Sequence, residues 1–483
     1  MNQIINFKLV ARVVSLNLLI LSASFLLCIG IALLYSESLY PFIYSIFISL
    51  SIGLILFFAS GKVDSNEDIQ KKDAYFTVSI SWLLIGLTGS LPYLFSGAIP
   101  SFTNALFESV SGFTTTGASI LIDIESLPKS ILFWRSLTHW IGGIGIIMLV
   151  IIILPSLKIG GYHLFTSESS FQDKIKPKIK QVGTRLFVIY FSLTAVETVL
   201  LLLGKMSLFE SVCHSFGTVA TGGFSPKNTS IIEYSPYIQY VIMIFMLLAG
   251  TNFLIHYYFI KREFAKIKDN EEFKFYLLVV FIIGSVITAV LFFQMNKPLE
   301  TSFRESFFQV ISIITCTGFA SADYLIWPEF AWGLIFLSMF LGGSTGSTAG
   351  GIKMVRHLIV IKSVKSIFRH IIHPQAIFPI RVNNKNLTIE SGNSVLSFVI
   401  LYLITFLIGS LLMIALGLDG KTATSSVATC MAGIGPGIGT VGPVSNFAHV
   451  PDIGKFLLSF FMIIGRLEIY TLIVLFTRNF WKL

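Results

Sequence analysis

Charged residues are scarce in this sequence. Asp, Glu, Lys and Arg together make up 12% of its 483 residues, whereas soluble proteins carry about 25%. Hydrophobic residues make up 54%, and many apolar runs reach the ~20 residues that a helix needs to cross a bilayer. This composition excludes a soluble globular domain and predicts a polytopic membrane protein.

Cysteine is nearly absent as well. The four cysteines are Cys28, Cys213, Cys316 and Cys430. None of them forms a C-x-x-C pair, and all lie in or beside apolar segments. We interpret them as small buried side chains rather than as disulfide or metal-binding residues.

Motifs typical of membrane enzymes are missing too. The sequence contains no H-E-x-x-H motif. Gly420-Lys421-Thr422 resembles the end of a phosphate-binding P-loop, but Ala415 stands where that motif requires glycine. We therefore expect that the chain is not an enzyme and binds no organic cofactor, so that any dependence on a nucleotide must come from another chain.

One short pattern, by contrast, occurs four times. Each copy is a predicted helix of about ten residues followed by a Thr/Gly-rich stretch, and each copy lies between long apolar segments. The four stretches are Thr115-Thr116-Gly117, Ala220-Thr221-Gly222, Cys316-Thr317-Gly318 and Gly433-Ile434-Gly435. Aligned on the last glycine of each, they are 105, 96 and 117 residues apart. We interpret them as four non-identical walls of one pore.

The apolar segments predict how these walls are held. The expected spanning helices cover residues 10–34, 40–60, 74–97, 131–155, 183–204, 236–260, 275–294, 329–360, 393–416 and 455–477. The sequence therefore predicts an all-α integral membrane protein of about ten transmembrane helices. It divides into an N-terminal helix pair and four repeats of outer helix, pore helix and second helix. These units span residues 1–70, 71–165, 166–265, 266–375 and 376–483.

The distribution of Lys and Arg predicts the orientation. With the amino terminus inside, 25 of the 34 Lys and Arg residues fall in segments that face the cytoplasm. Both termini are then cytoplasmic, and the four walls open to the outside. The net charge of +9 is explained by this topology, without a nucleic-acid partner. The basic segments 156–185 and 353–385 are also candidate docking surfaces for a cytosolic protein.

Backbone that is neither helix nor sheet at membrane depth indicates a pore lining. Such backbone is tolerated only where it lines a cavity or is buried in protein. Its carbonyl oxygens can replace the hydration shell of a cation, and the short helix directs the negative end of its dipole towards them. Glycine permits the backbone angles required. Because the four walls differ, we expect a preference for large monovalent cations with imperfect rejection of sodium.

Ionisable residues near the pore have two possible uses. Glu108, Glu210 and Glu305 lie early in the predicted pore helices, where a carboxylate stabilises the positive amino end or attracts cations to the mouth. Both uses remain open from the sequence. We interpret the isolated His139 and His214, like His256, as structural.

A glycine-rich segment, residues 342–351, interrupts the second helix of the third repeat. Five glycines in ten residues are incompatible with a stable helix. We hypothesise a movable loop that blocks the pore beneath the walls, the alternative being a small-residue packing face. The candidate gating residues in it are Gly343, Ser344, Thr345, Gly346, Ser347, Thr348, Ala349 and Gly350.

Arg466 is the second candidate for the gate. It lies centrally in the last predicted helix, where a charge is costly and by default functional. A positive group just inside the walls would repel cations or hold the loop. The alternative is an internal salt bridge with Glu468 or Glu197.

These residues resemble a known superfamily. The first wall, residues 220–225 around the second wall, the loop 342–351 and Arg466 are similar to the Trk/Ktr/HKT potassium transporters, and most closely to the bacterial Trk members. The resemblance covers nearly the whole chain, including the N-terminal helix pair, which Ktr proteins lack. The fourth wall departs from the Thr-Gly pattern, as this family typically does there.

The resemblance implies the biological setting. It implies that potassium is the transported ion and that the protein lies in the bacterial inner membrane. It also implies a homodimer with one pore per subunit, gated by a cytosolic TrkA-type ring of nucleotide-binding regulatory subunits. The alternative is a cation-coupled secondary carrier, a symporter that works by alternating access; four hairpins of the same sense favour a fixed selectivity filter over inverted repeats.

Overall fold

The computed structural model describes residues 5–61, 70–152, 175–376 and 378–482, with side chains described outside 146–152 and 175–182. Within these residues the chain is mostly helical, with one two-residue antiparallel ladder between β1 (Arg381–Val382) and β2 (Lys385–Asn386). Most of the basic segment 156–185 lies outside the described residues.

The N-terminal pair consists of α1 (Phe7–Leu34) and α2 (Tyr40–Ala59). The side chain of Asn6 caps α1 by accepting from the Leu9 amide, and a proline lies in the first turn of α2. The two helices share a polar contact at mid-length, where the hydroxyls of Ser22 and Ser49 are 2.8 Å apart. A buried hydroxyl pair suits close helix approach inside a membrane.

Four consecutive groups of helices follow. Repeat 1 contains α3 (Lys71–Gly89), α4 (Leu91–Phe95), α5 (Phe102–Phe113) and α6 (Lys129–Ile152). Repeat 2 contains α7 (Ile175–Leu203), α8 (Leu208–Val219), α9 (Pro236–Ala249) and α10 (Phe253–Ile260). A linking helix, α11 (Phe264–Lys268), leads to repeat 3.

Repeats 3 and 4 have the same order of elements. Repeat 3 contains α12 (Glu271–Met295), α13 (Leu299–Ile314), α14 (Glu329–Ser338) and α15 (Met354–Ile372). Repeat 4 contains α16 (Ile389–Ala415), α17 (Gly420–Ala432), α18 (Asp452–Arg466) and α19 (Tyr470–Ile473). The pore helices of the four repeats are α5, α8, α13 and α17. They are 12 to 16 residues long, somewhat longer than expected.

The class predicted from composition is confirmed. Among the described residues, six helices are long and apolar enough to cross a membrane, or eight if each of two bent pairs is one span. Each of the ten expected spans coincides with a helix or with a broken helix. Large apolar side chains remain exposed on the outer helices, as lipid contact requires; Phe47 is 71% exposed and Leu411 is 66% exposed.

Two spans that the apolar pattern predicts as continuous are broken. The helices α9 and α10 meet at a bend of 100° between Ala249 and Phe253. The amide oxygen of Asn252 accepts from the Leu254 amide and so starts a new helix at this bend. The last span bends by 110° after Arg466, where Glu468 has a φ of 53°. Hydropathy cannot detect such breaks, because the flanking residues stay apolar.

Candidate functional site

All four pore helices end in the same backbone turn. In each, a residue with positive φ follows the helix, and the next amide bonds back to the carbonyl five residues earlier, as in a Schellman motif. The positive-φ residues are Thr115 (52°), Thr221 (54°), Cys316 (57°) and Gly433 (73°). The hydrogen bonds are Thr116 N to Ser111 O (2.9 Å), Gly222 N to Gly217 O (2.8 Å), Thr317 N to Ser312 O (2.8 Å) and Ile434 N to Thr429 O (2.9 Å). Four different sequences thus adopt one backbone shape.

A second residue with positive φ, two positions later, shows which residues of the four walls correspond to one another. It occurs at Gly117, Gly223 and Gly318, each at 79°, and at Gly435 at 95°. The second wall is therefore Thr221-Gly222-Gly223, one residue further along than the alignment on Gly222 predicts. Ala220 is equivalent to Thr114 and not to a wall residue. The error arose because two consecutive glycines offer two alignments, and only the backbone angles choose between them.

The four walls close into a ring. Each positive-φ glycine faces the backbone of the next wall so closely that a Cβ atom would collide with it. A Cβ added at Gly117 would lie 2.1 Å from Gly222 O, and one added at Gly223 would lie 2.0 Å from Thr317 O. A Cβ added at Gly318 would lie 1.7 Å from Ile434 O, and one added at Gly435 would lie 2.7 Å from Thr116 O. The contacts run from wall 1 to 2, 3, 4 and back to 1, so the repeats surround a single axis.

Side chains reduce this fourfold ring to a twofold one. The Thr116 hydroxyl of wall 1 lies 2.8 Å from the hydroxyl of Thr114, which directly precedes the wall, and Thr317 of the opposite wall 3 lies at the same distance from Thr315. At the equivalent positions wall 2 has Ala220 and Gly222, and wall 4 has Ala432 and Ile434. Walls 1 and 3 therefore share a hydroxyl pair that walls 2 and 4 lack.

The three glutamates of the pore helices are not equivalent. Glu108 lies seven positions before Thr115, whereas Glu210 and Glu305 lie eleven positions before the corresponding residues, one helical turn further from the ring. Glu108 is fully buried and pairs with Arg135 at 2.6 Å. Each of the other two faces a lysine from a partly exposed position: Glu210 with Lys227 (3.8 Å) and Glu305 with Lys297 (2.6 Å).

The outer loops of repeats 1 and 2 are joined by polar contacts at the rim. Lys227 pairs with Glu125 at 3.1 Å, and Asn228 donates to Asp123 at 3.2 Å. The hydrogen bond from the Lys227 ammonium holds the pKa of Glu125 below its usual value, and Asn228 lowers the pKa of Asp123 in the same way. Both carboxylates are therefore ionised at neutral pH.

The glycine-rich loop lies directly beneath the ring. The Thr348 hydroxyl donates to Val219 O, at the end of the second pore helix, over 3.0 Å. A Cβ at Gly350 would lie 2.2 Å from Ala432 O, at the end of the fourth pore helix. The loop, which connects α14 to α15, thus touches the inner ends of two opposite walls.

Backbone hydrogen bonds hold the loop to itself and to the break in repeat 2. The amide of Gly342 donates to Ile352 O over 2.8 Å, which closes the loop at its base. Ser344 donates to Gly250 O over 2.9 Å, and Phe253 donates to Gly346 O over 3.1 Å. The loop therefore pairs with polar backbone that the bend between α9 and α10 leaves free.

A buried carboxylate on α12 also holds the loop. Glu272 is 1% exposed, and its Oε1 atom accepts from the amides of Thr345 (2.6 Å) and Val355 (3.2 Å). It therefore binds the loop and the first turn of α15 together. Sequence reasoning missed this residue; the signal was a carboxylate at the start of an apolar span.

Arg466 contacts the loop and not a carboxylate. Its Nη1 atom donates to Thr348 O over 2.8 Å, and its Nη2 atom donates to Gly142 O on α6 over 3.2 Å. It ends α18 instead of lying within a continuous helix, because the span bends there. Neither proposed salt-bridge partner reaches it: Glu468 pairs with Arg356, and Glu197 takes part in no ion pair among the described residues.

The histidines pack within the protein. His139 stacks on Phe224 with ring centroids 4.1 Å apart, and His256 bonds to Leu248 O over 2.9 Å. His214 bonds to Glu210 O (2.8 Å) and to the Ser225 hydroxyl (3.0 Å). The four cysteines are free and buried. Among the described residues, no group of three or more His, Cys, Asp and Glu could hold a metal ion.

Four repeats that close one ring at membrane depth define a pore-loop membrane protein. The sequence model of the TrkH family, described as a cation transport protein, matches residues 38–483 of this chain. The chain therefore belongs to the TrkH family, and it is a transport protein rather than an enzyme.

Relatives of known function extend over the whole chain. The Trk system potassium uptake protein TrkH of Escherichia coli K12 is 34% identical over 485 residues, which covers 99% of this chain and all of the relative. TrkG of the same organism is 35% identical, with 94% of each chain covered. The crystal structure of the potassium transporter TrkH from Vibrio parahaemolyticus superposes with a TM-score of 0.91 at 33% identity, covering 99% of this chain and 100% of that one.

Proposed function

We propose that this protein takes up potassium across the bacterial inner membrane through the ring of four walls. The closure of the ring, with each wall's glycine against the next wall's carbonyl, is the observation that carries the proposal. The relatives named above are potassium uptake proteins and share the full length of the chain. We propose that the repeats act as the units delimited at residues 70, 165, 265 and 375, each supplying one wall.

The ring suits a large monovalent cation. Carbonyl oxygens of the walls replace the water around the ion, and the negative ends of four pore helices point towards the same axis. Walls 1 and 3 hold threonine pairs, while walls 2 and 4 do not. This unequal set of ligands accounts for the imperfect rejection of sodium that we expect.

The loop and Arg466 form the gate in this proposal. The loop lies beneath two opposite walls, and Arg466 binds its Thr348 carbonyl from the far side. A positive charge at this depth repels a cation that leaves the ring. Opening then requires the loop and the guanidinium to move together, because the hydrogen bond joins them.

Partners and orientation follow from the resemblance and from charge. We propose a homodimer with cytoplasmic termini, gated by a cytosolic TrkA-type ring. The helix α15 leaves the gate loop and exposes Lys365 and Arg369, within the basic segment 353–385. A partner that pulls on α15 would act on the loop, because α15 begins where the loop ends.

A coupled carrier is the second candidate. The second helices of repeats 2, 3 and 4 are all broken, and broken helices at the midplane are typical of alternating-access carriers. Saturation at carrier-like rates and an obligatory co-substrate would favour this candidate over a fixed filter.

The test is cation flux into proteoliposomes that contain the purified chain. Potassium and rubidium should enter faster than sodium and lithium. Gly318→Ser should abolish this preference, because any side chain there collides with wall 4. The matched control is Gly333→Ser in the same repeat, where nothing lies within 4 Å of an added Cβ. Absence of flux for every cation, or a preference for potassium that Gly318→Ser leaves unchanged, contradicts the proposal.

A further inference from the structure

A layer of polar side chains lies behind the ring, one step into the pore helices. Seven positions before its positive-φ residue, each helix carries a different polar group, and the four groups are Glu108, His214, Gln309 and Ser426. The chemistry of this layer therefore differs from wall to wall, although the backbone of the walls does not.

The layer ties each wall to the outward stretch that follows it. Glu108 Oε2 accepts from Ile120 N over 3.0 Å. His214 Nε2 lies 3.0 Å from the Ser225 hydroxyl, and Gln309 Nε2 donates to Ala322 O over 3.2 Å. In the fourth repeat Ser425, the neighbour of Ser426, makes this contact, and its hydroxyl accepts from Ile438 N over 2.9 Å. Each group fixes the stretch at the point where it leaves the ring.

In wall 1 the connection continues into wall 2. Arg135 donates from Nε to Glu108 over 2.6 Å and from Nη1 to Ser225 O over 2.8 Å, and its guanidinium lies 3.7 Å above the Phe224 ring. Phe224 and Ser225 directly follow wall 2. Glu108 and Arg135 are 0% and 2% exposed. A buried ion pair thus links the stretches that leave two adjacent walls.

The other three seams of the ring are joined by neutral groups. Walls 2 and 3 are joined by Ile231 N to Ala320 O (3.0 Å) and Ala320 N to the Ser230 hydroxyl (3.1 Å), walls 3 and 4 by the Tyr324 hydroxyl to Gly437 O (2.6 Å), and walls 4 and 1 by Phe447 N to Ser119 O (2.8 Å). Among these contacts, the seam between walls 1 and 2 alone carries full charges.

We propose that Glu108 and Arg135 are positioning residues that set the ion selectivity of the ring by fixing the separation of walls 1 and 2. This inference rests on the proposed function and adds to it the residues that keep the ring from closing on a small ion. Charge-assisted hydrogen bonds at low dielectric resist displacement more than neutral ones do. A stiff seam keeps the wall carbonyls apart when the smaller sodium ion enters, so sodium is poorly solvated there.

The sharpest variant is Arg135→Lys. Lysine keeps a positive charge beside Glu108, but a single ammonium cannot hold Glu108 and Ser225 O while it stacks on Phe224. The second variant, Glu108→Gln, removes the negative charge of the ion pair and leaves Arg135 in place. The matched control is Glu300→Gln, which breaks a 2.8 Å ion pair with Arg304 on the pore helix α13, away from the stretches that follow the walls.

Two readouts separate selectivity from folding. The first is the ratio of potassium to sodium flux in proteoliposomes. The second is the rise in Tm that each ion produces in detergent, which reports ion binding without transport. We expect Arg135→Lys to lower the flux ratio by about tenfold, the change that about 1.4 kcal/mol produces, and to bring the two Tm shifts together. Glu300→Gln should leave both readouts as in the unmodified chain.

The outcomes are distinguishable. A selective parent whose Arg135→Lys and Glu108→Gln variants fold and keep the parent flux ratio overturns the inference and leaves the proposed function intact. If Glu108→Gln does not fold, Arg135→Lys alone decides. A folded parent that does not prefer potassium to sodium overturns the proposed function together with this inference.

Discussion

In the orientation proposed above, the outer half of this protein holds the ring and the inner half holds the glycine-rich loop, and the four repeats are alike in the first half but not in the second. In the outer half, four pore helices end in the same turn and close one ring, although their side chains differ. In the inner half the second helices diverge. The helix α6 runs without a break from Lys129 to Ile152, whereas its counterparts in the other three repeats are interrupted.

The difference follows from what each half must do. A ring of carbonyls needs the same backbone angles in every wall, so the four walls share positive φ and close approach although their side chains differ. The gate proposed above needs only one obstruction beneath the ring, and a single repeat supplies the loop that would form it. The bend in repeat 2 and Arg466 at the bend in repeat 4 then hold that loop in place.

The largest effect is expected from a substitution that makes the backbone of one wall unlike that of the other three. We expect Gly223→Ala to lower potassium uptake by at least about thirtyfold, because a left-handed backbone costs about 1–2 kcal/mol and a collision with neighbouring backbone adds about 1–3 kcal/mol. Flux in proteoliposomes measures it. Gly30→Ala is the control, since nothing lies within 4 Å of its Cβ. Normal uptake by Gly223→Ala would mean that the second wall is not built on this glycine.

The next effect tests the inner half. Arg466→Ala removes the hydrogen bonds to Thr348 O and Gly142 O and the positive charge beneath the ring. We expect resting uptake, measured without a regulatory subunit, to rise by about tenfold, because hydrogen bonds to a charged group contribute about 1.5–3 kcal/mol. Arg304→Ala, which breaks a surface pair with Glu300, should have no effect on it. Unchanged resting uptake in Arg466→Ala would remove this residue from the gate.

The smallest effect is expected from a substitution that tests whether the Glu272 side chain holds the loop in place. Glu272→Gln keeps the shape of the side chain but weakens its bonds to the amides of Thr345 and Val355. We expect resting uptake to rise by about threefold, because a neutral hydrogen bond contributes about 0.5–1.5 kcal/mol. The adjacent Glu271→Gln is the control, since Glu271 pairs with Lys362 on α15 and not with the loop. Equal uptake in the two variants would show that the Glu272 carboxylate does not hold the loop.

The two halves also differ in how far the sequence predicts them. The four Thr/Gly stretches and the glycine-rich loop were visible as patterns, because backbone that departs from a helix at membrane depth requires small residues. The register of wall 2 was not visible, since both Gly222 and Gly223 satisfy the pattern. The bends after Ala249 and Arg466 were not visible either, because the segments on both sides of each bend are apolar enough to be taken for one continuous span.

The sequence by itself determined the membrane class, the number of repeats and the segments that form the walls, because each of these depends on local composition and spacing. Only the tertiary structure decided which residues face one another across the repeats. Arg466 bonds to Thr348 instead of to a carboxylate, Glu272 holds a loop more than seventy positions away, and Arg135 joins two walls. The physical reason is that these contacts join residues far apart in the sequence, two of them across separate repeats and one within repeat 3, so local composition and spacing cannot specify them.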